Sequence, residues 1–401
     1  MNIAKQEISD LLNRLSESAT LAMSRKSREL QEKGVQVINL SLGEPDFDTP
    51  DFIKDAAKQG IDQNYTHYMP VNGYADFREA ICKKFKRDND LHYNPDQIVV
   101  STGAKQSIIN VILATVNPGD EVILPAPYWV SYIEMVKMAG AEPVVIPTTI
   151  DTEYKIDAQT LESYITDKTR MIIYSSPCNP SGSVYSEEEL RAFASVLEKH
   201  PEVLVVSDEI YEHINYTTNH FSIGTIDSIK DQVITVNGVS KGFAMTGWRI
   251  GFIGAPTWVA KACTKLQGQF TSGASGISQR AAKAAVEANP NVTHSMKEDF
   301  LKRRELVTEL LSEVEGFEVN KPEGAFYMFP DVSACFGKSN GENTIENSDD
   351  LAEYILTTGH VATVSGAAFG SPDCLRISYA ASEKDLIEAV ERIKNAISKL
   401  S

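Results

Sequence analysis

Between residues 97 and 256, short β-branched runs alternate with helical stretches, and this alternation constrains the fold more than any other feature. The runs are QIVVS (97–101), EVILPAP (121–127), EPVVIP (142–147), MIIYSSP (171–177), VLVVSDEI (203–210), QVITVNGVS (232–240) and RIGFIGAP (249–256). Their cores are continuously apolar, which is typical of strands buried on both faces. We therefore predict an α/β fold in which helices sandwich a mostly parallel sheet.

The pattern changes near residue 290. A long charged amphipathic segment (294–314) is followed by the short runs GAFYMFPDV, VATVSG and CLRISYA, and then by a final helical segment (382–400). Helix, strands and helix in this order predict a smaller α+β domain. We expect a large domain over 46–290 and a small domain formed by 1–45 together with 291–401.

Charge and composition argue against several classes of protein. Lysine and arginine total 38 against 55 acidic residues, so the net charge is −17, whereas nucleic-acid binding favours an excess of basic residues. No apolar run approaches the roughly 18 residues of a membrane span, and the N-terminus lacks the apolar stretch of a signal peptide. We expect a cytoplasmic protein with neither a nucleic-acid nor a membrane partner. Five scattered cysteines without a CxxC pair, and histidines without HExxH spacing, predict no metal site.

Lys241 follows a predicted strand, in the stretch NGVSKGFAMTGWRIGF (237–252). Open α/β sheets bind ligands at the carboxyl ends of their strands, and burial there lowers the pKa of an amine and frees it for Schiff-base chemistry. A surface or strand-end lysine is the alternative. Eight residues later, Arg249 lies between Gly247 and Gly251, which let the backbone approach a ligand, and arginine suits a bidentate contact with phosphate.

Two other predicted strands also end in polar side chains. Asp208 ends the run VLVVSDEI, where a buried carboxylate requires a cation. It is either a helix N-cap or the partner of a protonated cofactor ring, whose oxygen Tyr211 could reach. Asn179 lies in SSPCNPSG (175–182), and a turn-forming Asn-Pro is its alternative interpretation.

Weaker candidates come from isolated motifs. STGAKQ (101–106) opens a helix whose free amides, at Ala104 and Lys105 among others, suit a phosphate, although many helices begin this way. Trp129 in PYWVSY either stacks on a flat ring or packs in the core. Arg376 in CLRISYA is a lone cation in an apolar strand, with an anionic ligand or a structural ion pair as its partner. Tyr68 precedes a proline–glycine turn and is otherwise a plain loop aromatic.

Taken in order, these motifs resemble the class I/II aminotransferases, pyridoxal-phosphate enzymes of fold type I. The resemblance runs from SAT (18–20) and LGEPDFDTP (42–50) to LRISYA (375–380), and SKGFAMTGWRIGF (240–252) is close to the lysine signature of the family. It implies pyridoxal 5′-phosphate as cofactor and a homodimer whose subunits share their active sites. Within the family, the chain is most similar to bacterial aspartate aminotransferases.

The resemblance also implies a role for each candidate that contacts the cofactor ring. Lys241 matches the lysine that bonds covalently to the cofactor and later moves a proton. Asp208 matches the acid paired with the ring nitrogen. Asn179 and Tyr211 match the donors to the ring oxygen, and Trp129 matches the stacking aromatic.

The remaining matches concern the phosphate and the substrate carboxylate. Groups matching the phosphate site are Arg249, Ser240 and the amides of Ala104 and Lys105. Tyr68 matches a tyrosine that reaches the phosphate of the neighbouring subunit. Arg376 matches the arginine that binds the substrate α-carboxylate, with Asn179 and the backbone of Gly43. The chain departs from the pattern at Gly238, where many relatives carry a serine that binds the phosphate.

The implied reaction moves an amino group from an L-amino acid, expected to be aspartate, to a 2-oxo acid, expected to be 2-oxoglutarate, with ping-pong kinetics. The alternatives are an aromatic or prephenate transaminase, a lyase on the same fold, and a non-enzymatic cofactor-sensing regulator. The sequence assigns no cation to a distal carboxylate, because Lys105 is expected to belong to the turn before its helix.

Overall fold

The computed structural model describes residues 8–217, 220–342 and 344–401. Its strands, in chain order, are β1 (Ile38–Asn39), β2 (Ile98–Ser101), β3 (Glu121–Pro125), β4 (Glu142–Ile146), β5 (Thr169–Ser175), β6 (Leu204–Asp208), β7 (Val233–Gly238), β8 (Gly251–Gly254), β9 (Tyr327–Met328), β10 (Val361–Ala362), β11 (Val364–Ser365) and β12 (Leu375–Ser378). Its α-helices are α1 (Asp10–Asn13), α2 (Ala19–Glu32), α3 (Asp51–Asp62), α4 (Ala75–Asn89), α5 (Ala104–Thr115), α6 (Ser131–Met138), α7 (Ala158–Tyr164), α8 (Glu187–Leu197), α9 (Thr257–Phe270), α10 (Gly276–Glu287), α11 (His294–Ser312), α12 (Ser348–Tyr354) and α13 (Glu383–Ile397).

The central sheet has seven strands in the order β2-β8-β7-β6-β5-β3-β4. The strands from β7 to β4 in that order run parallel, and β8 is antiparallel to both of its neighbours. The predicted α/β architecture with a mostly parallel sheet is confirmed, and each of the seven predicted runs contains one strand. The reversed direction of β8 could not be predicted because a continuous apolar run carries no information about strand direction.

Both faces of the sheet are covered, as the continuous apolar runs predicted. In β6, Val205 packs in a cluster with Phe193 of α8, whereas the next residue, Val206, packs in a different cluster with Ile112 of α5. Successive side chains of a strand point to opposite faces, so both faces of β6 are in apolar contact. Helix α8 begins with a capping box, in which Ser186 and Glu189 exchange side chain to backbone hydrogen bonds.

The C-terminal part of the chain builds a second layer of structure. Strands β11, β12 and β9 form an antiparallel sheet, and β1 pairs in parallel with β10. A single apolar cluster contains Leu40, Phe300 of α11, Ile377 of β12 and Ile393 of α13. The proposed domain division stays a prediction, and residues 1–7 of its N-terminal segment lie outside the described residues. Within the described ranges, no helix is both long and apolar enough to cross a membrane.

Candidate active site

A cavity of about 310 Å³ lies where the carboxyl ends of the parallel strands meet the C-terminal part of the chain. Eleven of the twelve predicted site residues line it, and Tyr68 is the exception. These eleven are Gly43, Ala104, Lys105, Trp129, Asn179, Asp208, Tyr211, Ser240, Lys241, Arg249 and Arg376. Residues as far apart in sequence as 43 and 376 therefore share one space.

Lys241 follows β7 and extends its amine into this cavity. Its Nζ donates a hydrogen bond to the carbonyl oxygen of Gly43. Burial lowers the pKa of Lys241 to about 8, with a further lowering from the nearby guanidinium of Arg376. An appreciable fraction of the amine is therefore neutral near pH 7 to 8, which is the form able to attack a carbonyl carbon.

Asp208, the last residue of β6, is buried at the floor of the cavity. It accepts hydrogen bonds from the hydroxyl of Tyr132, at 2.7 Å, and from the amide of Ile210, at 3.3 Å. Burial raises the pKa of Asp208 to about 6, against the lowering effect of the Tyr132 hydrogen bond. A hydroxyl and an amide hold the carboxylate here, so it retains the capacity to pair with a cation of a ligand.

Tyr132 was not predicted as a site residue. It lies three residues after Trp129, at the start of α6, and the two rings meet edge to face with centroids 5.4 Å apart. The motif PYWVSY contains it, and a spacing of three places both aromatics on one side of a helical turn. That spacing is the signal by which the sequence could have indicated it.

Arg376, in β12, is a buried cation, and no carboxylate within the described ranges forms an ion pair with its guanidinium. Its Nη1 donates to Asn179 Oδ1 at 3.0 Å, and its Nη2 donates to the Ser41 carbonyl at 2.5 Å. Nε is buried and has no acceptor among the described residues. Burying a guanidinium against neutral groups alone is unfavourable, so this arrangement favours an anionic ligand over the structural ion pair considered from the sequence.

Tyr327 of β9 connects the groups on this side of the cavity and was also missed from the sequence. Its hydroxyl lies 2.7 Å from the hydroxyl of Tyr211, and its ring centroid lies 4.6 Å from the Arg376 guanidinium carbon. A Cβ at Gly43 would lie 2.5 Å from that hydroxyl, so position 43 cannot carry a side chain without displacing the ring. No sequence motif indicates Tyr327, because only tertiary packing brings GAFYMFPDV to the cavity.

At the opposite end of the cavity, several groups form an anion-binding arrangement. Helix α5 begins at Ala104 without a side-chain cap at Gly103, so the amides of Ala104 and Lys105 are donors that an anion could use. A Cβ at Gly103 would lie 2.5 Å from Arg249 Nη2, and a Cβ at Gly251 would lie 2.1 Å from the Ala104 nitrogen. These two glycines allow the guanidinium and the helix terminus to converge.

Gly238, the departure noted in the sequence, is closely surrounded. A Cβ at this position would lie 2.9 Å from the Ile250 carbonyl oxygen and 3.0 Å from the Gly251 Cα. Backbone atoms cannot move aside as a flexible side chain can. The backbone around Gly238 therefore leaves no room for the serine side chain that many relatives carry here.

The side chain of Lys105 extends beyond the turn to which the residue was expected to belong. The backbone of Lys105 belongs to the first turn of α5, but its Nζ lies 5.0 Å from the ring centroid of Trp129, and the residue lines the cavity. The N-terminal segment contributes Ser18 and Thr20 to the same lining. The side chain of Lys105 thus lies against Trp129, another residue of the cavity lining.

Tyr68 is 95% exposed and lies outside the cavity lining. The single chain does not bring it to the other candidates. Its expected contact with a neighbouring subunit stays a prediction.

Comparison with known proteins places this geometry in a family. The family model described as aminotransferase class I and II matches residues 35–393. A bifunctional aspartate aminotransferase and glutamate/aspartate-prephenate aminotransferase of Petunia hybrida is 47% identical, over 97% of this chain and 82% of that protein. An aspartate/prephenate aminotransferase of Cereibacter sphaeroides is 44% identical, over 98% of this chain and 99% of the relative.

Solved structures agree with the sequence relatives. The aspartate aminotransferase from Rhizobium meliloti superposes with a TM-score of 0.95 at 39% identity, covering 99% of this chain and 100% of that one. The aspartate aminotransferase from Thermus thermophilus with maleate superposes with a TM-score of 0.91 at 37% identity, covering 98% and 100%. With its model match, its full-length relatives and its fold, this chain belongs to the class I and II aminotransferase family.

Proposed function

We propose that the protein is a pyridoxal 5′-phosphate-dependent aminotransferase that uses L-aspartate as amino donor and 2-oxoglutarate as acceptor. The observation that carries the proposal is the convergence of three groups on one cavity: the Lys241 amine, the Asp208 carboxylate and the unpaired Arg376 guanidinium. They supply a nucleophilic amine, a partner for a protonated ring and an anchor for a carboxylate.

The residues present fit the cofactor at both of its ends. The uncapped amides of α5, with Ser240 and Arg249, would hold the phosphate, and Gly103 and Gly251 leave the space that this convergence needs. Asp208, which forms no ion pair with a cation of the described residues, would pair with the ring nitrogen. Tyr211 and Asn179 would contact the ring oxygen. Trp129 would stack on the ring. When bound, pyridoxal phosphate supplies an aldehyde that bonds covalently to amines and a protonated ring that accepts electrons.

The residues of this chain then act in defined ways. Lys241 would be the covalent anchor of the cofactor, and its free amine would serve as the base that removes the proton from the substrate Cα and as the acid that returns one in the second half-reaction. Its lowered pKa keeps part of the amine neutral and able to accept that proton. Asp208 would keep the ring nitrogen protonated, because an ionised carboxylate favours a nearby cation. Arg376 and Asn179 orient the substrate by its α-carboxylate.

A second carboxylate on the substrate requires a second cation, and Lys105 is the one left. The cations that line the cavity, among the residues described, are Lys105, Lys241, Arg249 and Arg376. Of these, Lys241 is assigned to covalent attachment, Arg249 to the phosphate and Arg376 to the α-carboxylate. We assign the Lys105 ammonium, which lies over the ring of Trp129, to the distal carboxylate of aspartate.

Prephenate is the second candidate substrate, because relatives are named aspartate/prephenate aminotransferases. Prephenate also carries a second carboxylate, so Lys105 would serve both substrates. The partly exposed Trp129 beside Lys105 offers an apolar surface to its ring.

We also infer a homodimer. The support is Tyr68, an aromatic side chain that is 95% exposed and absent from the cavity of its own chain. Light scattering on the cofactor-bound protein tests this inference. The net charge of −17 supports the absence of a nucleic-acid partner, and the cytoplasmic location remains a prediction from the sequence.

The proposal is tested by following products from aspartate and 2-oxoglutarate. The protein is expected to form oxaloacetate and glutamate in equal amounts, and Lys241→Ala, purified in parallel, is expected to form neither. Release of pyruvate or ammonia from aspartate, without glutamate, would replace the transaminase with a lyase. Cofactor binding with no turnover of any amino donor would favour the regulator.

A further inference from the structure

A cluster of charged and polar side chains is buried beside the cavity without lining it. We call it the buried network, and it consists of Lys84, Asn89, Glu209, Glu212, His220 and Ser222. The exposed fraction is 2% for Lys84, 1% for Glu209 and 8% for Glu212. Charges withdrawn from water to this extent require a compensating arrangement.

One half of the network centres on Glu212. Its carboxylate forms an ion pair with Lys84 of α4 and accepts a hydrogen bond from Asn89 Nδ2 at 2.6 Å. Lys84 Nζ in turn donates to Asn89 Oδ1 at 2.6 Å. Burial alone would raise the pKa of Glu212, and the Lys84 charge lowers it to about 2, so the carboxylate is ionised. This half ties the segment after β6 to the end of α4.

The other half centres on Glu209. Its carboxylate accepts hydrogen bonds from Ser222 Oγ at 2.6 Å and from Ser207 Oγ at 3.0 Å, and His220 Nε2 lies 2.9 Å away. The backbone amide of Glu209 donates to the Val236 carbonyl of β7 at 2.9 Å. Glu209 is thus fixed by its side chain and its backbone.

The sequence of this segment divides its residues between two environments. Asp208 and Tyr211 line the cavity, whereas Glu209 and Glu212 belong to the buried network. Within residues 208–212, each site residue is therefore followed at once by a carboxylate fixed in the network. The segment cannot shift without breaking contacts on both sides.

Stability does not by itself explain such a network. Replacing a buried ion pair by apolar residues of similar volume is often neutral or stabilising, because desolvation offsets the attraction between the charges. A metal ion does not explain it either, although carboxylates and histidine lie close enough to share one. The Lys84 ammonium already occupies the cationic position next to Glu212.

We propose that Lys84, Glu209 and Glu212 are positioning residues for the reaction, because the buried network fixes the segment 208–212 and thereby the Asp208 carboxylate and the Tyr211 hydroxyl. This inference rests on the proposed function, since Asp208 and Tyr211 are taken as contacts of the cofactor. Small displacements of groups in an active site have large effects on rate.

The main test uses the double variant Lys84→Met, Glu212→Leu, which removes both charges at similar volume. Removing two desolvated charges is favourable, but Asn89 loses two hydrogen-bond partners, so the melting temperature is expected to fall by no more than that of the control variant below. We expect kcat with aspartate to fall about 10- to 100-fold, KM for aspartate to change less than twofold, and Kd for pyridoxal phosphate to rise. The single variant Lys84→Arg, which keeps the charge opposite Glu212, should retain most of the parent's kcat.

The matched control removes a partly buried ion pair elsewhere. Lys155 pairs with Glu189 at 2.9 Å, and neither residue lines the cavity. The variant Lys155→Met, Glu189→Leu also breaks the capping box of α8, so it is expected to lower the melting temperature while leaving Kd and kcat unchanged. Parallel loss of stability and kcat in both variants would make the network merely structural and overturn the inference.

A second variant keeps the inference testable if the double variant fails to fold. Glu209→Gln retains the shape of the side chain and an accepting oxygen while removing the charge, and we expect kcat and Kd to move in the same directions. If Glu209→Gln leaves kcat and Kd unchanged while the parent transaminates aspartate, the network role is rejected and the proposed function stays intact. A parent that neither binds the cofactor nor transfers an amino group would reject both.

Discussion

Substitution of Arg376 separates recognition of the α-carboxylate from recognition of the side chain. Arg376→Lys keeps the charge but cannot keep the contacts with Asn179 and Ser41 while presenting further donors to a carboxylate. The substitution therefore loses hydrogen bonds rather than a charge, and one hydrogen bond to a charged group contributes about 1.5 to 3 kcal/mol. At 1.4 kcal/mol per tenfold, kcat/KM should fall by about one to two orders of magnitude.

The assay is kcat/KM for a panel of amino donors, with aspartate, phenylalanine and alanine as the minimum. Every donor has an α-carboxylate, so Arg376→Lys is expected to reduce all three by a similar factor. The matched variant is Lys105→Gln, at the exposed mouth, where we expect a loss of roughly tenfold or less confined to aspartate. A selective loss of aspartate activity in Arg376→Lys would reverse the two assignments and refute the reasoning.

Three further predictions follow from the cavity. In cofactor-free protein, the pKa of Asp208 is raised from 3.8 to about 6, so the folded state binds more protons than the unfolded state between these pH values and loses stability as pH rises. Asp208→Asn should therefore match the parent in urea denaturation near pH 4 and exceed it at pH 7 by up to about 3 kcal/mol; equal stabilities at pH 7 would contradict the raised pKa. Tyr132→Phe removes a hydrogen bond to an ionised group and should raise Kd for pyridoxal phosphate about tenfold in a fluorescence titration, with no change if the bond is incidental. Gly238→Ser should lower the free energy of unfolding by about 1 to 3 kcal/mol without tightening cofactor binding, and tighter binding would show that the serine is accommodated.

Much of the fold could be predicted because burial on both faces leaves a clear pattern. Residues such as Val205 and Val206 face opposite apolar layers, so the strands read as continuous runs. Candidates at strand ends, Asp208 and Lys241 among them, could be predicted because parallel strands deliver their carboxyl ends to one edge. The antiparallel direction of β8 depends on the loop before it, and no composition rule fixes that.

The groups that escaped prediction act through tertiary contacts. Tyr132 and Tyr327 are ordinary aromatics in their own segments and acquire a role only where their hydroxyls meet Asp208 and Tyr211. The side chain of Lys105 was assigned to a turn because its backbone lies there, whereas its direction is set by packing on Trp129.

Locating the covalent anchor tests the central claim most directly. The cofactor-bound protein is reduced with borohydride, digested and mapped by mass spectrometry. The account predicts a phosphopyridoxyl group on Lys241 alone. This label is expected to be lost when aspartate is added before reduction, because the substrate amine displaces the lysine. Attachment to another lysine, with Lys241 unmodified, would contradict the account.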